Sequence, residues 1–262
     1  MRLILCVLLS SIAFVQTAAE SKSSKVWIGR YAEFEAFLRT ADIVDTKGTP
    51  VGVMAPRHAI FKPGGLAAGG ALKPIEPGKY DGYWESYKSE IAAYRLDRLI
   101  ELDMVPPTVE VRYKGTPASL QLWIENTIML KDMKARKLQA PDGAKWNRQL
   151  HRMYLFDDLV ANMDENEGNM LFDPEWNLIK IDHSRAFTNT LVQPFEIGRT
   201  FVQIDRPIFD RVKRLDRDTV KHEIGSLLEP GALDALFVRR DAIVKDLERL
   251  AQQKGDANVF VP

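Results

Sequence analysis

The stretch "NMDENEGNMLFDPEWNLIKIDHSRAF", residues 162–187, sets Asp164, Asn166 and Asn169 around a glycine and follows them with an apolar run ending at Asp182. Carboxylate and amide oxygens at this density suit a hard cation. Read as a calcium loop, the stretch puts Asp164 first, Asn166 third and Glu175 twelfth. Gly168 then falls where a ligand belongs, and Asn169 falls where the sharp turn needs glycine. The spacing serves phosphoryl transfer better. That chemistry asks for an aspartate to orient the attacking hydroxyl and an asparagine about five residues later for the metal. A further aspartate on a following strand bridges metal and phosphates. Asp164, Asn169 and Asp182 stand in that order. The plainer alternative is a polar loop whose Asp and Asn residues only close turns and cap helices.

These residues need elements to hold them. "NMLFDPEWNLIKID" predicts a β-hairpin turning at Asp173-Pro174, which returns Asp182 to the loop. "KWNRQLHRMYLFDDLVANM" before it predicts a helix, with Asp157 and Asp158 facing solvent or capping locally. Upstream, "SKSSKVWIGRYAEFEAFLRT" predicts a short strand and an amphipathic helix over 31–39. "RHAIF" and "LAAGGALKPI" predict a hairpin around Lys62-Pro63-Gly64-Gly65. Residues 84–102 lack Gly and Pro and place Ala92, Leu96, Leu99 and Ile100 on one side of a packed helix. "VPPTVEVRYKGTPASLQLWIEN" predicts two strands around Gly115. From 206 to 253 helices are broken at Pro230-Gly231, the last with an apolar stripe at Ile243, Leu247 and Leu250 on a solvated, charge-rich surface. The expected class is α+β, a strand-rich half with one main helix followed by a mostly helical half.

"LFDDLVANMDENEGNMLFDPEWNLIKIDHSRAF" resembles the catalytic segment shared by the phosphatidylinositol 3- and 4-kinase-like superfamily and the secreted Golgi protein kinases, and is nearest to exported bacterial proteins of that atypical kinase-like group. The shared pattern is D-R-x-x-x-N, a hairpin, then I-D-H or D-F-G. The resemblance implies a two-lobed, protein-kinase-like fold with a small β-rich N-lobe over 20–126 and a helical C-lobe over 127–262. It implies ATP with Mg2+ or Mn2+, Asp164 as catalytic base, and Asn169 and Asp182 as metal ligands. His183 stands where D-F-G has phenylalanine. Kinases also fix the α- and β-phosphates with a strand lysine held by a helix glutamate. Lys73 in "GGALKPI" and Glu90 in the following helix fill those places, with Lys62 in the turn as the rival lysine. "ESYKSEIAAYRLDRLIELDMVPPTVEVR" extends the likeness. "SLQLWIEN" would enter the interlobe hinge, where Trp123 is placed to pack against adenine.

Two departures stand against this reading. The family's arginine after the catalytic aspartate is Glu165 here, a charge reversal that opposes triphosphate unless its carboxylate points to solvent or pairs with a cation. No G-x-G-x-x-G loop is present; "DTKGTPVGVM" is the nearest candidate. The alternative expectation is therefore a pseudokinase-like scaffold that binds nucleotide or protein without transfer. The acceptor, a hydroxyl on protein, lipid or sugar, is not specified by the sequence.

Composition bounds the rest. Acidic and basic residues balance at 36 each, which gives no basis for a nucleic-acid partner. No H-E-x-x-H or G-x-S-x-G pattern supports a zinc or serine hydrolase. "MRLILCVLLSSIAFVQTAAE" has the form of a signal peptide over 1–19 cleaved after Ala19, which predicts export to the periplasm or medium with no stable membrane span. An uncleaved anchor is the alternative. The one cysteine, Cys6, lies in that leader, so the processed chain would hold no disulfide, thiolate metal site or cysteine nucleophile.

Overall fold

The computed structural model describes residues 23–48 and 56–262. The leader and most of the "DTKGTPVGVM" stretch lie outside the described residues. A first helix, α1 (Tyr31–Thr40), buries Phe34 and Leu38. Strands β1 (Ile43–Gly48), β2 (Arg57–Phe61) and β3 (Gly69–Lys73) follow, then a small hairpin of β4 (Gly78–Tyr80) and β5 (Tyr83–Glu85). Helix α2 (Tyr87–Leu99) comes next, and then β6 (Thr108–Tyr113) and β7 (Thr116–Leu122). Strands β1, β2, β3, β7 and β6 form one antiparallel sheet in that order. One of its faces packs with α1 around Trp27, Phe34, Phe61, Leu72 and Leu120.

The expected strand before α1 is instead a turn: Arg30 N–H donates to the Trp27 carbonyl, and Gly29 sits at φ +77°. Trp27 enters the core from this turn, so its burial needs no strand. The helix predicted from residue 84 starts at Tyr87, because Trp84 pairs in β5 and the Ser86 side chain accepts from Lys88 N–H as the N-cap. Lys62 is exposed in the β2–β3 connection, whereas Lys73 closes β3 and is buried.

The second half holds the short strand β8 (Ile128–Met129), helix α3 (Leu130–Ala135) and helix α4 (Gly143–Val160), the last capped by the Asp142 carboxylate. Strands β9 (Met170–Phe172) and β10 (Leu178–Lys180) form the expected hairpin; the Asp173 carboxylate accepts from the Glu175 and Asn177 amides in its turn. Helices α5 (Arg206–Lys213), α6 (Arg217–Ile224) and α7 (Ala232–Lys254) complete this part, with Gly231 at φ +82° before α7. Ile243, Leu247 and Leu250 are buried as the stripe predicts, but Arg239 on the same helix is fully buried and donates to the Leu159, Thr188 and Thr190 carbonyls. The larger core joins α2, α4, the β9–β10 hairpin and α5–α7. Helix α2 is thus anchored below the sheet and carries its first turn to the site.

Candidate active site

The charged groups meet where β3, the first turn of α2 and the end of the β9–β10 hairpin converge. Lys73 is the last residue of β3, and its Nζ lies 2.5 Å from Glu90 Oε1 and 2.8 Å from Asp182 Oδ1. Burial works to lower the Lys73 pKa, but Asp182 and Glu90 outweigh it and raise it, so the lysine is charged. Burial likewise works to raise Asp182, yet Lys73 and a hydrogen bond from Ser184 bring it down to about 2. The Asp182 side chain is 37% exposed, against 2% for Glu90. Both of its partners among the described residues engage Oδ1, and none engages Oδ2.

The segment that carries Asp182 is fixed from two sides. On one, Glu90 Oε2 accepts from His183 N–H at 3.1 Å, Ser86 N–H donates to the Ser184 carbonyl, and the Ser89 hydroxyl donates to Ala186. On the other, Phe187 N–H donates to the Val160 carbonyl at the end of α4. Asp182 itself adopts φ +62°, a left-handed conformation that the surrounding bonds over-determine. Burial, followed by the nearby Lys180 and Lys73 cations, pushes His183 well below its ordinary range. Its ring is neutral and edge-on to Phe156, which makes it a packing residue.

The loop before the hairpin joins this segment through Asn169. The Ile181 amide donates to the Asn169 carbonyl at 3.1 Å, which sets Asn169 beside the residue preceding Asp182. Asn169 Nδ2 donates to the Asp164 carbonyl, so its Oδ1 faces away from that bond. Asn169 Oδ1 and Asp182 Oδ2, without a partner among the described residues, are oxygen donors of the kind Mg2+ and Mn2+ take, and the fit to a hard cation rests on them. Asp164 is half exposed, and its Oδ2 lies 3.2 Å from Arg185 Nη1. Arg185 is held by Glu85 through Nε and Nη2, at 2.8 and 2.7 Å, and stands over the Tyr83 ring.

Beneath the loop lies a second cluster. Lys180, fully buried, donates to Asp157 Oδ2 at 3.0 Å and to Glu165 Oε2, while Asn162 Nδ2 donates to both carboxylates. Glu165 is therefore neither solvent-facing nor directed at the cleft. It answers a buried cation, which is the condition under which its charge does not oppose triphosphate. The expectation that Asp157 and Asp158 face solvent is corrected: both are fully buried. Asp157 meets Lys180, and Asp158 accepts from Phe195 N–H while burial pushes it up to about 8.

Trp123 lies apart from these groups. Its amide donates to the Gly69 carbonyl, at the opposite end of β3 from Lys73, about 13 Å away by the rise of a strand. Its ring stacks on His58 at 3.9 Å and 14°. Adding a Cβ at Gly69 would bring it within 2.6 Å of the His58 ring, so glycine admits the stack. A surface cavity of about 580 Å³, lined by Arg206, Phe209, Lys213 and Glu248, contains none of the site residues.

No protein-family model matches the sequence, and no curated protein matches it. Solved structures do match in shape. The Golgi casein kinase with Mn and ADP bound superposes with a TM-score of 0.67 at 13% identity, over 88% of this chain and 78% of that one. Hydra Fam20 with sugar gives 0.65 at 15% identity over 88% and 92%, and the Helicobacter pylori proinflammatory kinase CtkA gives 0.53 at 12% over 84% and 97%. The fold is kinase-like, shared with these solved structures. In a kinase-like fold the β-rich and helical parts meet at a cleft, and Lys73, Glu90, Asp164, Asn169 and Asp182 converge between these parts here.

Sequence reading missed Arg185, Glu85 and Lys180. A lysine within the apolar strand "NLIKID" is the one local signal for Lys180. Arg185 and Glu85 are 100 residues apart, and no local pattern joins them.

Proposed function

We propose that this protein is an exported atypical kinase that transfers the γ-phosphate of ATP to a hydroxyl acceptor. The observation that carries this reading is the Glu90–Lys73–Asp182 chain, a charged strand lysine between a buried helix carboxylate and a half-open one beside Asn169. Lys73, oriented by Glu90, holds the α- and β-phosphates, and Asn169 and Asp182 hold the divalent metal. When bound, the metal would supply charge neutralisation across the phosphates. Trp123 sits at the other end of β3 for the base. Transfer of nucleotide and metal use to this chain is supported by the neighbour crystallised with Mn and ADP.

Asp164 orients the acceptor hydroxyl and takes its proton. The acceptor oxygen forms a bond to the γ-phosphorus, the bond from that phosphorus to the β–γ bridging oxygen breaks, and ADP leaves with the electron pair. The proton passes through Asp164 to solvent, so a phosphoester, ADP and one proton result. Such catalysis is positioning and charge stabilisation, which the fixed 182–187 segment provides. Export and division into lobes at residues 126 and 127 belong to the same proposal. The pseudokinase alternative drew on Glu165 and on the missing G-x-G-x-x-G loop, and the pairing of Glu165 with Lys180 answers the first of these.

The test is release of ADP and transfer of label from γ-labelled ATP with Mn2+, with and without a panel of hydroxyl acceptors. Asp182→Ala and Asp164→Asn are expected to lose turnover. Turnover that survives in Asp182→Ala refutes the assignment.

A further inference from the structure

Glu165 removes a cation from the place where the kinase pattern has arginine, and nothing else in the loop 162–169 replaces it. The structure brings one from elsewhere. Among the described residues, Arg185 is the cation that touches Asp164, and it arrives from the segment after Asp182. Three features distinguish it from an incidental surface pair. Its Nε donates to Glu85 Oε1 and its Nη2 lies 2.7 Å from the same oxygen, and Glu85 is 2% exposed, so the guanidinium is held from behind. Its face rests on Tyr83 at 4.6 Å. Its own side chain is 18% exposed, and Asp164, its partner towards the cleft, is 49% exposed.

A guanidinium has five N–H groups, and of these contacts the Nε–H to Glu85 has hydrogen-bond geometry. Nη1 and Nη2, in ion-pair contact with Asp164 and Glu85, keep N–H groups to donate. Asp164 Oδ2 receives Arg185, which leaves Oδ1 for the acceptor hydroxyl at hydrogen-bond distance, and that hydroxyl must approach the γ-phosphorus at about 3–3.5 Å. The free N–H groups therefore border the oxygens of the group in flight. A fixed, planar cation beside those oxygens is worth most in the transition state, where charge spreads over them.

We infer that Arg185 is a catalytic residue of the transfer, the cation that takes the place of the missing arginine at position 165 and contacts the migrating phosphoryl group. This rests on the kinase reading above. In the step already balanced, Arg185 gains no bond and no proton; it only donates hydrogen bonds to the equatorial oxygens.

The experiment uses the full chain and thermal unfolding with Mn-ADP, then with Mn-ADP plus aluminium fluoride, which occupies the place of the migrating phosphoryl. The wild type is expected to show a first upward shift with Mn-ADP and a further one with the fluoride. Arg185→Gln should keep the first and lose the second, with kcat down on the order of 100- to 1000-fold and the KM for ATP within a few-fold. Arg185→Lys keeps the charge without the fork and should fall between. Glu85→Gln, which leaves Arg185 present but loosely held, should weaken the second shift alone. A full fluoride response in Arg185→Gln overturns the role of Arg185 and leaves the kinase reading standing. No Mn-ADP shift in a cooperatively unfolding wild type overturns both.

Discussion

Two lysines in this molecule each lie between two acids, and they do different work. Lys73 sits between Glu90 and Asp182, and Lys180 between Asp157 and Glu165. The chemistry is the same and the exposure is not. In the first set Asp182 is 37% exposed and keeps an oxygen without a partner among the described residues; in the second, none of the three side chains exceeds 3%. Titration separates them as well. Lys73 and Ser184 outweigh burial and hold Asp182 down at about 2, whereas burial raises Asp157 and lowers Lys180 despite their pairing. A lysine between two carboxylates is thus a ligand-ready site when one acid faces a cleft, and a brace when all three are sealed. The brace here ties α4, the loop of Asp164 and the strand leading to Asp182.

The sealed set should break the fold first. Lys180→Met leaves two buried carboxylates without a cation and is expected to cost about 3–5 kcal/mol in denaturant unfolding. A loss below about 1 kcal/mol would show that the cluster is not a brace. Glu165→Ala is the next test; it strips Lys180 and Asn162 of one acceptor and should cost about 1–3 kcal/mol, measured the same way.

The open set should break function instead. Asp182→Ala is expected to change stability by about 1 kcal/mol or less, since Lys73 keeps Glu90 and the lost carboxylate is partly solvated. Turnover should be gone. If this variant unfolds as readily as Lys180→Met, the contrast between the two sets fails.

Acid gives the finest comparison. The folded Asp182 value, about 2, lies below the unfolded carboxylate value of about 3.9. Its stabilisation is full above that unfolded value and is lost as pH falls from about 4 towards 2. Asp158 has the opposite sign: raised to about 8 by burial, it weakens the fold as pH rises from about 4 to 8. Unfolding free energies across these windows should show a flatter acid limb in Asp182→Ala and a flatter neutral limb in Asp158→Asn.

What the sequence made legible was what lies close along the chain. Asp164, Asn169 and the hairpin that returns Asp182 sit within 19 residues, and turn chemistry and alternation suffice to place them. Lys73 and Glu90 were picked out through the resemblance to kinases, in which a lysine late on a strand is paired with a glutamate of the following helix. The reading failed where side chains find partners across the fold. Alternation in "NLIKID" marks a strand but does not tell that its lysine faces two acids. Asp157 and Asp158 look like helix-surface residues until β10 and the Phe195 loop cover them. Glu165 looked like lost chemistry for the same reason: its cation, Lys180, comes from β10.

The most direct measurement is thermal unfolding with and without saturating Mn-ATP for the wild type, Asp182→Ala and Glu165→Gln. At about 100 times its dissociation constant a ligand stabilises by about 2.7 kcal/mol, a rise of several degrees at this size. The account predicts that rise in the wild type and in Glu165→Gln, and none in Asp182→Ala. A rise in Asp182→Ala equal to that of the wild type, or none in a cooperatively unfolding wild type, would contradict it.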